Sequence, residues 1–168
     1  LPSDRDRART LAIYQHWQNV CLWIQTHTAH DALFLTPRSQ QTFKWYAQRS
    51  EVVNWKDIPQ DSRGLLDWQQ RVLDCAPIWN SDYGVAVQDP VAIHELAQKY
   101  EVDYLLMTQY AYELQQRFGR QLPYRRVYPE SAEQRSFYVV LAVDQWQVPP
   151  SVQPSIQPPS IQPPSVQP

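Results

Sequence analysis

Residues 23–56 read WIQTHTAHDALFLTPRSQQTFKWYAQRSEVVNWK, and the fold follows from how this stretch changes period. An apolar helical stripe ends near Thr26, and a polar turn precedes ALFLT at residues 32–36, a nearly continuous apolar run of strand length. Such a run between turn residues marks a strand buried on both faces, as in a parallel sheet. Pro37 stops it and disfavours helix at Thr36, so the chain turns a corner before Ser39, which is placed to cap a short helix over residues 39–48. That helix is expected to turn Phe43, Ala47 and either Trp45 or Tyr46 inward, and EVVNW at residues 51–55 reads as a second strand. Strand, crossover helix and strand make one βαβ unit.

Working outward, Ser3 and Asp6 form a capping-box pattern ahead of Ile13, Trp17, Val20 and Ile24, which recur at the spacing of one helix face. Downstream, Asp61 or Ser62 caps a third helix carrying Leu65, Leu66, Trp68, Val72 and Leu73 and closed by Pro77. Residues 76–88 show no period and read as a loop. Asp89 followed by Pro90 is a cap with proline at the first helical position, starting a helix through Tyr100. VDYLLMT at residues 102–108 reads as a third strand, and a helix over residues 110–118 ends at Gly119. Residues 125–128 and 137–143 read as two more strands, most simply an edge hairpin across ESAEQRS, and FYVVLAV is the most β-prone run in the chain. The expected class is α/β, a three-layer domain over residues 1–146 with a mostly parallel central sheet of about five strands and an antiparallel edge pair. Leu33, Leu35, Val53, Leu105, Leu106, Val139 and Leu141 are expected to be nearly inaccessible, with Ile13, Trp17, Val20 and Ile24 covering one sheet face.

Composition narrows the functional classes. The chain has 168 residues, 43% of them apolar, enough for one core, and a formal net charge of -2 with mixed signs. No basic stripe is present, which disfavours nucleic acid as a partner. No apolar run approaches the roughly 18 residues that span a bilayer, and no signal-peptide pattern is seen. The chain opens without a methionine, in LPSDRDRART, as a segment of a longer protein would. Only Gly64, Gly84 and Gly119 occur, so neither a GxGxxG turn nor a Walker loop can be written, and a nucleotide-dependent enzyme on a Rossmann-like sheet is disfavoured. No cofactor is implied. Cys21 and Cys75 lie in separate helices and read as two buried thiols rather than a disulfide. His27 and His30, in THTAHD, have an i, i+3 spacing that a metal site uses, but no third ligand follows, and a solvated turn accounts for them. His94 reads as solvated or hydrogen-bonded, since no nucleophile or second base accompanies it. No catalytic or metal-binding set can be written.

From residue 147 the composition changes to a near repeat of proline, serine, glutamine and a β-branched residue, PPSVQPSIQPPSIQPPSVQP. Such a sequence cannot bury a core and is expected to be disordered and polyproline-like, a spacer rather than an SH3 ligand, because no arginine or lysine flanks its PxxP spacing.

Several motifs together resemble a known family. They are DALFLTP at residues 31–37, FKxxAxR from Phe43 to Arg49, VVNWK at residues 52–56, WxxR from Trp68 to Arg71 and KYxVDY from Lys99 to Tyr104. In this order they resemble the soluble C-terminal domain of a family of multi-spanning bacterial membrane proteins of unknown function. That family is itself distantly similar to membrane glycosyltransferases of the oligosaccharyltransferase type. The resemblance covers about residues 10–143, and implies a membrane-attached parent with this domain on the extracytoplasmic side. It also implies that the partners are the parent's own transmembrane domain and a sugar or lipid-linked sugar. It imports no activity. WNSDYG at residues 79–84 echoes the WWDYG signature of oligosaccharyltransferase soluble domains, but Asn80 and Ser81 shift tryptophan against aspartate, so the signature's role is not carried over.

The function expected on this basis is an accessory or substrate-presenting domain, with a structural protein-interaction module as the alternative. The expected ligand position follows a general rule, that open α/β sheets bind outside the carboxyl ends of their parallel strands. This names Thr36 and Arg38 after the first strand, Lys56 and Asp57 after the second, and Thr108, with Gln109, after the third. Arg38 and Lys56 are suited to an anionic group, with help from the N-terminus of the helix expected after Arg38. Arg49, at the other end of the second strand, is expected to be structural, pairing or capping beneath the sheet.

Overall fold

The computed structural model describes residues 3–79, 89–131 and 133–143. Its elements are α1 (Asp4–His27), β1 (Leu33–Leu35), α2 (Phe43–Ala47), β2 (Ser50–Glu51), α3 (Ser62–Cys75), α4 (Pro90–Lys99), β3 (Tyr104–Thr108), α5 (Gln109–Arg117), β4 (Arg125–Tyr128) and β5 (Tyr138–Ala142). The strands form one sheet in the order β2-β1-β3-β5-β4. β1 is parallel to both β2 and β3, whereas β5 is antiparallel to both β3 and β4. The class is therefore α/β, but the sheet is mixed and not mostly parallel. The difference comes from the FYVVLAV run: all five residues of β5 are buried, so it takes an interior position, and β4, with Arg125 exposed, takes the edge.

The caps are largely those written in the sequence. Ser3 and Asp6 exchange hydrogen bonds in a capping box at α1. Asp61, Asp89 and Thr108 accept from Gly64 N, Val91 N and Ala111 N at α3, α4 and α5. Gly119, at φ +65°, closes α5, where a Cβ would be strained. Arg49 is buried and closes α1 from outside. Its guanidinium donates to Gln25 O at 2.6 Å, Thr28 O at 2.8 Å and Thr28 Oγ1 at 3.1 Å, in the negative end of the helix dipole.

Strand alternation sorts the core into two clusters. Phe34, Leu106 and Val140 pack with Trp17, Val20, Cys21 and Ile24 of α1 and Phe43 and Ala47 of α2. Leu35, Leu105, Met107, Val139 and Leu141 pack with Cys75, Ile93, Leu96, Ala97 and Ala111 from α3, α4 and α5. Both cysteines are buried and free.

Four expectations are corrected. The crossover helix is five residues long and begins at Phe43, not after Ser39. Residues 37–42 turn instead, because Thr42 Oγ1 is taken by Trp17 Nε1 at 2.9 Å and Gln40 Nε2 donates to the Tyr138 hydroxyl at 2.8 Å. β2 is confined to Ser50 and Glu51, although the next residue, Val52, still donates its backbone N–H to Phe34 O at 2.9 Å. Val53 is buried as expected, and Val52 and Asn54 are buried with it, but beyond Val52 the chain is an arm held by side-chain bonds rather than a strand. Leu33, the first residue of β1, is only half-buried, and Ile13 is 37% exposed. α1 is about 36 Å long, against about 17 Å for β3, so its N-terminal half overhangs the sheet. Asn80 to Gly84 of WNSDYG and the repeat from residue 147 lie outside the described residues.

Candidate functional site

The overhang of α1 and the strand order together make a cleft. β1 connects through α2 to β2 on one side, while β3 lies on its other side, so the connections part between β1 and β3. The C-terminal end of such a switch point is left open for a ligand. A cleft of about 580 Å³ opens there, lined by Ser39 and Gln40 after β1, Thr108, Gln109 and Tyr110 after β3, Phe137 and Tyr138 entering β5, and Arg9 and Ile13 from α1.

Four of the lining side chains are held by contacts of their own. Thr108 is fixed as the α5 cap, and Gln109 Nε2 donates to Glu113 one turn on, at 2.9 Å. Tyr138 is buried, its ring 5.2 Å from Trp17, and burial pushes its hydroxyl up to about 12, so the hydroxyl stays neutral under ordinary conditions. Phe137 meets His16 of α1 edge-on at 4.5 Å, which closes α1 onto β5 at the cleft mouth. Phe137 and Tyr110 remain exposed. The lining offers two exposed aromatic rings, two amides, hydroxyls and one guanidinium, and no carboxylate among the described residues. Such a surface suits a polyhydroxylated or anionic ligand.

The five positions named from sequence divide between three environments. Thr108, with Gln109, lines the cleft. Thr36 is buried: its hydroxyl donates to Glu51 Oε2 at 2.6 Å and its carbonyl accepts from Trp79 Nε1 at 3.1 Å. Arg38, Lys56 and Asp57 lie on the β2 side. The Arg38 guanidinium covers the Trp55 ring at 4.7 Å, and Asp57 pairs with Lys44 at 2.8 Å. α2 is too short and begins too late to direct backbone N–H groups at Arg38. Between these positions Glu51 accepts from Asn54 Nδ2 at 3.0 Å, and Asn54 in turn bonds Gln41 O and Lys56 N. Burial raises the Glu51 carboxyl above its ordinary value, although its bonds from Thr36 and Asn54 oppose that.

Arg9, Gln40, Phe137 and Tyr138 were not expected in the site. The length of α1 against the short strands was a legible signal for Arg9. The β5 residues had none, because the position of β5 beside β3 depends on pairing.

A second cavity, of about 540 Å³, opens at the opposite strand ends and includes Asp31, Glu101 and Asp103. Asp103 is structural, accepting from Leu33 N at 2.8 Å. Among the described residues no group of three acidic, histidine or cysteine side chains is placed to hold a metal, and no helix is long and apolar enough to cross a membrane.

No curated protein matches the chain. Residues 15–75, from within α1 to the end of α3, match the model of one protein family, a domain of unknown function (DUF6798).

Proposed function

We propose that the chain is a substrate-presenting domain that takes a sugar or lipid-linked sugar in the cleft between β1 and β3. The observation that carries the reading is the lining of that cleft: the solvent-exposed rings of Phe137 and Tyr110 lie with Gln40, Gln109 and Thr108. Aromatic faces with amides and hydroxyls recognise the apolar faces and the hydroxyls of a sugar ring. No carboxylate pair flanks the described lining, which favours presentation over glycosidic chemistry. With the sequence resemblance, the reading makes this the extracytoplasmic accessory domain of a membrane-attached, glycosyltransferase-like parent whose transmembrane domain is its partner. The two core clusters are then the contacts of two helical layers with a central sheet, in a three-layer domain.

Calorimetric titration of the chain with hexose phosphates and soluble lipid-linked sugar analogues tests this. Saturable heat that is lost in Phe137→Ala and Gln40→Ala, and kept in Arg38→Ala with Lys56→Ala, supports the cleft. Heat lost only in the Arg38, Lys56 double variant moves the ligand to the β2 side. No heat with any sugar leaves the second reading, a protein-interaction module, which the exposed Leu66 and Leu73 of α3 favour.

A further inference from the structure

The β2 side of the domain carries a surface that the cleft does not use. Tryptophan is ordinarily well buried, yet Trp45 on the outer face of α2 is 80% exposed, and Trp55 and Ile58 in the turn after β2 are 40% and 49% exposed. The turn is rigidly held. Trp68 Nε1 donates to Asn54 O at 2.9 Å, Asn54 Oδ1 accepts from Lys56 N at 2.9 Å, and the Lys44–Asp57 pair ties the turn to α2. Phe43 and Ala47 face the core from the other side of α2, so Trp45 can turn inward only if the helix is rolled out of its packing.

Charge accompanies these apolar groups. Lys44 is balanced by its partner Asp57 and by the buried Glu51 behind it, Asp61 and Arg63, next along the chain, cancel, and Arg38 and Lys56 remain as the cations of the surface. The Arg38 guanidinium lies over the Trp55 ring, 4.7 Å from its centroid, so an aromatic ring and a cation are presented together. Tryptophan with basic residues is the side-chain set of membrane interfaces, where the indole sits at headgroup level and the cation meets lipid phosphate.

We infer that the surface formed by Trp45, Trp55, Ile58, Arg38 and Lys56 docks on an anionic lipid surface, setting the domain against a bilayer. The inference is independent of what the cleft binds. A second copy of the chain is disfavoured as the occupant, because two such faces would oppose like charges.

The test is co-sedimentation of the full chain with vesicles of phosphatidylcholine alone and of equimolar phosphatidylcholine and phosphatidylglycerol. The chain is expected to partition onto the anionic vesicles and not the neutral ones. Removing Arg38 and Lys56 should weaken partitioning about fivefold for each cation. Quenching of tryptophan emission by brominated lipid should fall in Trp45→Ser, whereas Leu73→Ser on α3 should sediment like the parent. Circular dichroism melts separate these effects from unfolding, and Trp45 is exposed enough for its variant to fold. Absence of sedimentation, equal sedimentation with both vesicles, or equal partitioning of parent and variants would overturn the inference. So would self-association of the full chain in ultracentrifugation that Trp45→Ser abolishes, since that assigns the surface to a second copy.

Discussion

The Thr36 hydroxyl donates to Glu51 Oε2 at 2.6 Å, joining the residue after β1 to the last residue of β2 below the surface. The bond sets a carboxyl group, 7% exposed as a residue, between the first two strands, where Asn54 satisfies its second oxygen. One polar cluster thus ends the parallel ladder and anchors the arm at residues 52–57.

Glu51 makes stability depend on pH with a defined sign. Burial raises its folded pKa above the ordinary 4.5, with Thr36, Asn54 and Lys44 opposing and Asp57 assisting. A raised group binds its proton more tightly when folded, so its contribution is fully present below about pH 4 and declines as pH rises through the folded pKa. Glu51→Gln cannot titrate. The melting temperature of the parent relative to Glu51→Gln should therefore fall as pH is raised from 4 to 7, and a relative rise would mean the carboxylate is net stabilised where it sits.

Arg49→Ala should be strongly destabilising although Arg49 touches no carboxylate in its cap. The substitution removes charge-assisted bonds to Gln25 O and Thr28 O and leaves both carbonyls short of a donor, for a loss of about 2–4 kcal/mol. Arg49→Lys should recover only part of this, because an ammonium cannot reproduce the fork. Urea unfolding of the two variants checks the order. Equal stability of parent and Arg49→Ala would show that water caps α1 as well as the guanidinium does.

Arg49 and Gln40 mark how far the sequence could be read. Arg49 was legible as structural because a cation at the start of the second strand lies beneath the sheet, at the end away from the ligand rim, where the helix leading into β1 also ends. β1, β3, α4 and most helix caps were legible for similar reasons, since period, proline and capping residues act locally. Gln40 was not legible. Its bond to the Tyr138 hydroxyl spans 98 positions and replaces the first turn of the expected helix with a bend. The mixed sheet has the same origin, because the apolar FYVVLAV run suits an interior strand but does not say which strands flank it, and the pairing of β5 between β3 and β4 is a tertiary choice.

Leu35→Ala tests the sheet assignment. Leu35 is 1% exposed and lies in the cluster with Leu105, Met107 and Leu141. Its truncation should cost about 2–5 kcal/mol through lost burial and the cavity left behind. Leu33→Ala, at the half-buried start of the same strand, should cost clearly less. Chemical denaturation of the pair measures both, and equal losses would contradict the placement of Leu33 at the rim.

Gly64 gives a prediction against the usual rule. Glycine inside a helix is ordinarily worse than alanine by about 1 kcal/mol, so Gly64→Ala in the third position of α3 would be expected to stabilise. Here the backbone N–H of Gly64 is held by Asp61 Oδ1 at 2.7 Å, drawing the cap close over the helix. A Cβ at residue 64 would lie 2.6 Å from Asp61 Oδ2 and 2.9 Å from Pro59 Cβ. The aspartate can rotate away, but only by giving up a cap worth about 1 kcal/mol. The proline ring, with its backbone angle fixed, cannot yield without moving the turn. Gly64→Ala should therefore lower stability in thermal melts, and Asp61→Ala should reduce that penalty by removing the cap that the methyl group displaces. A rise in melting temperature for Gly64→Ala alone would show that the turn at Pro59 relaxes freely.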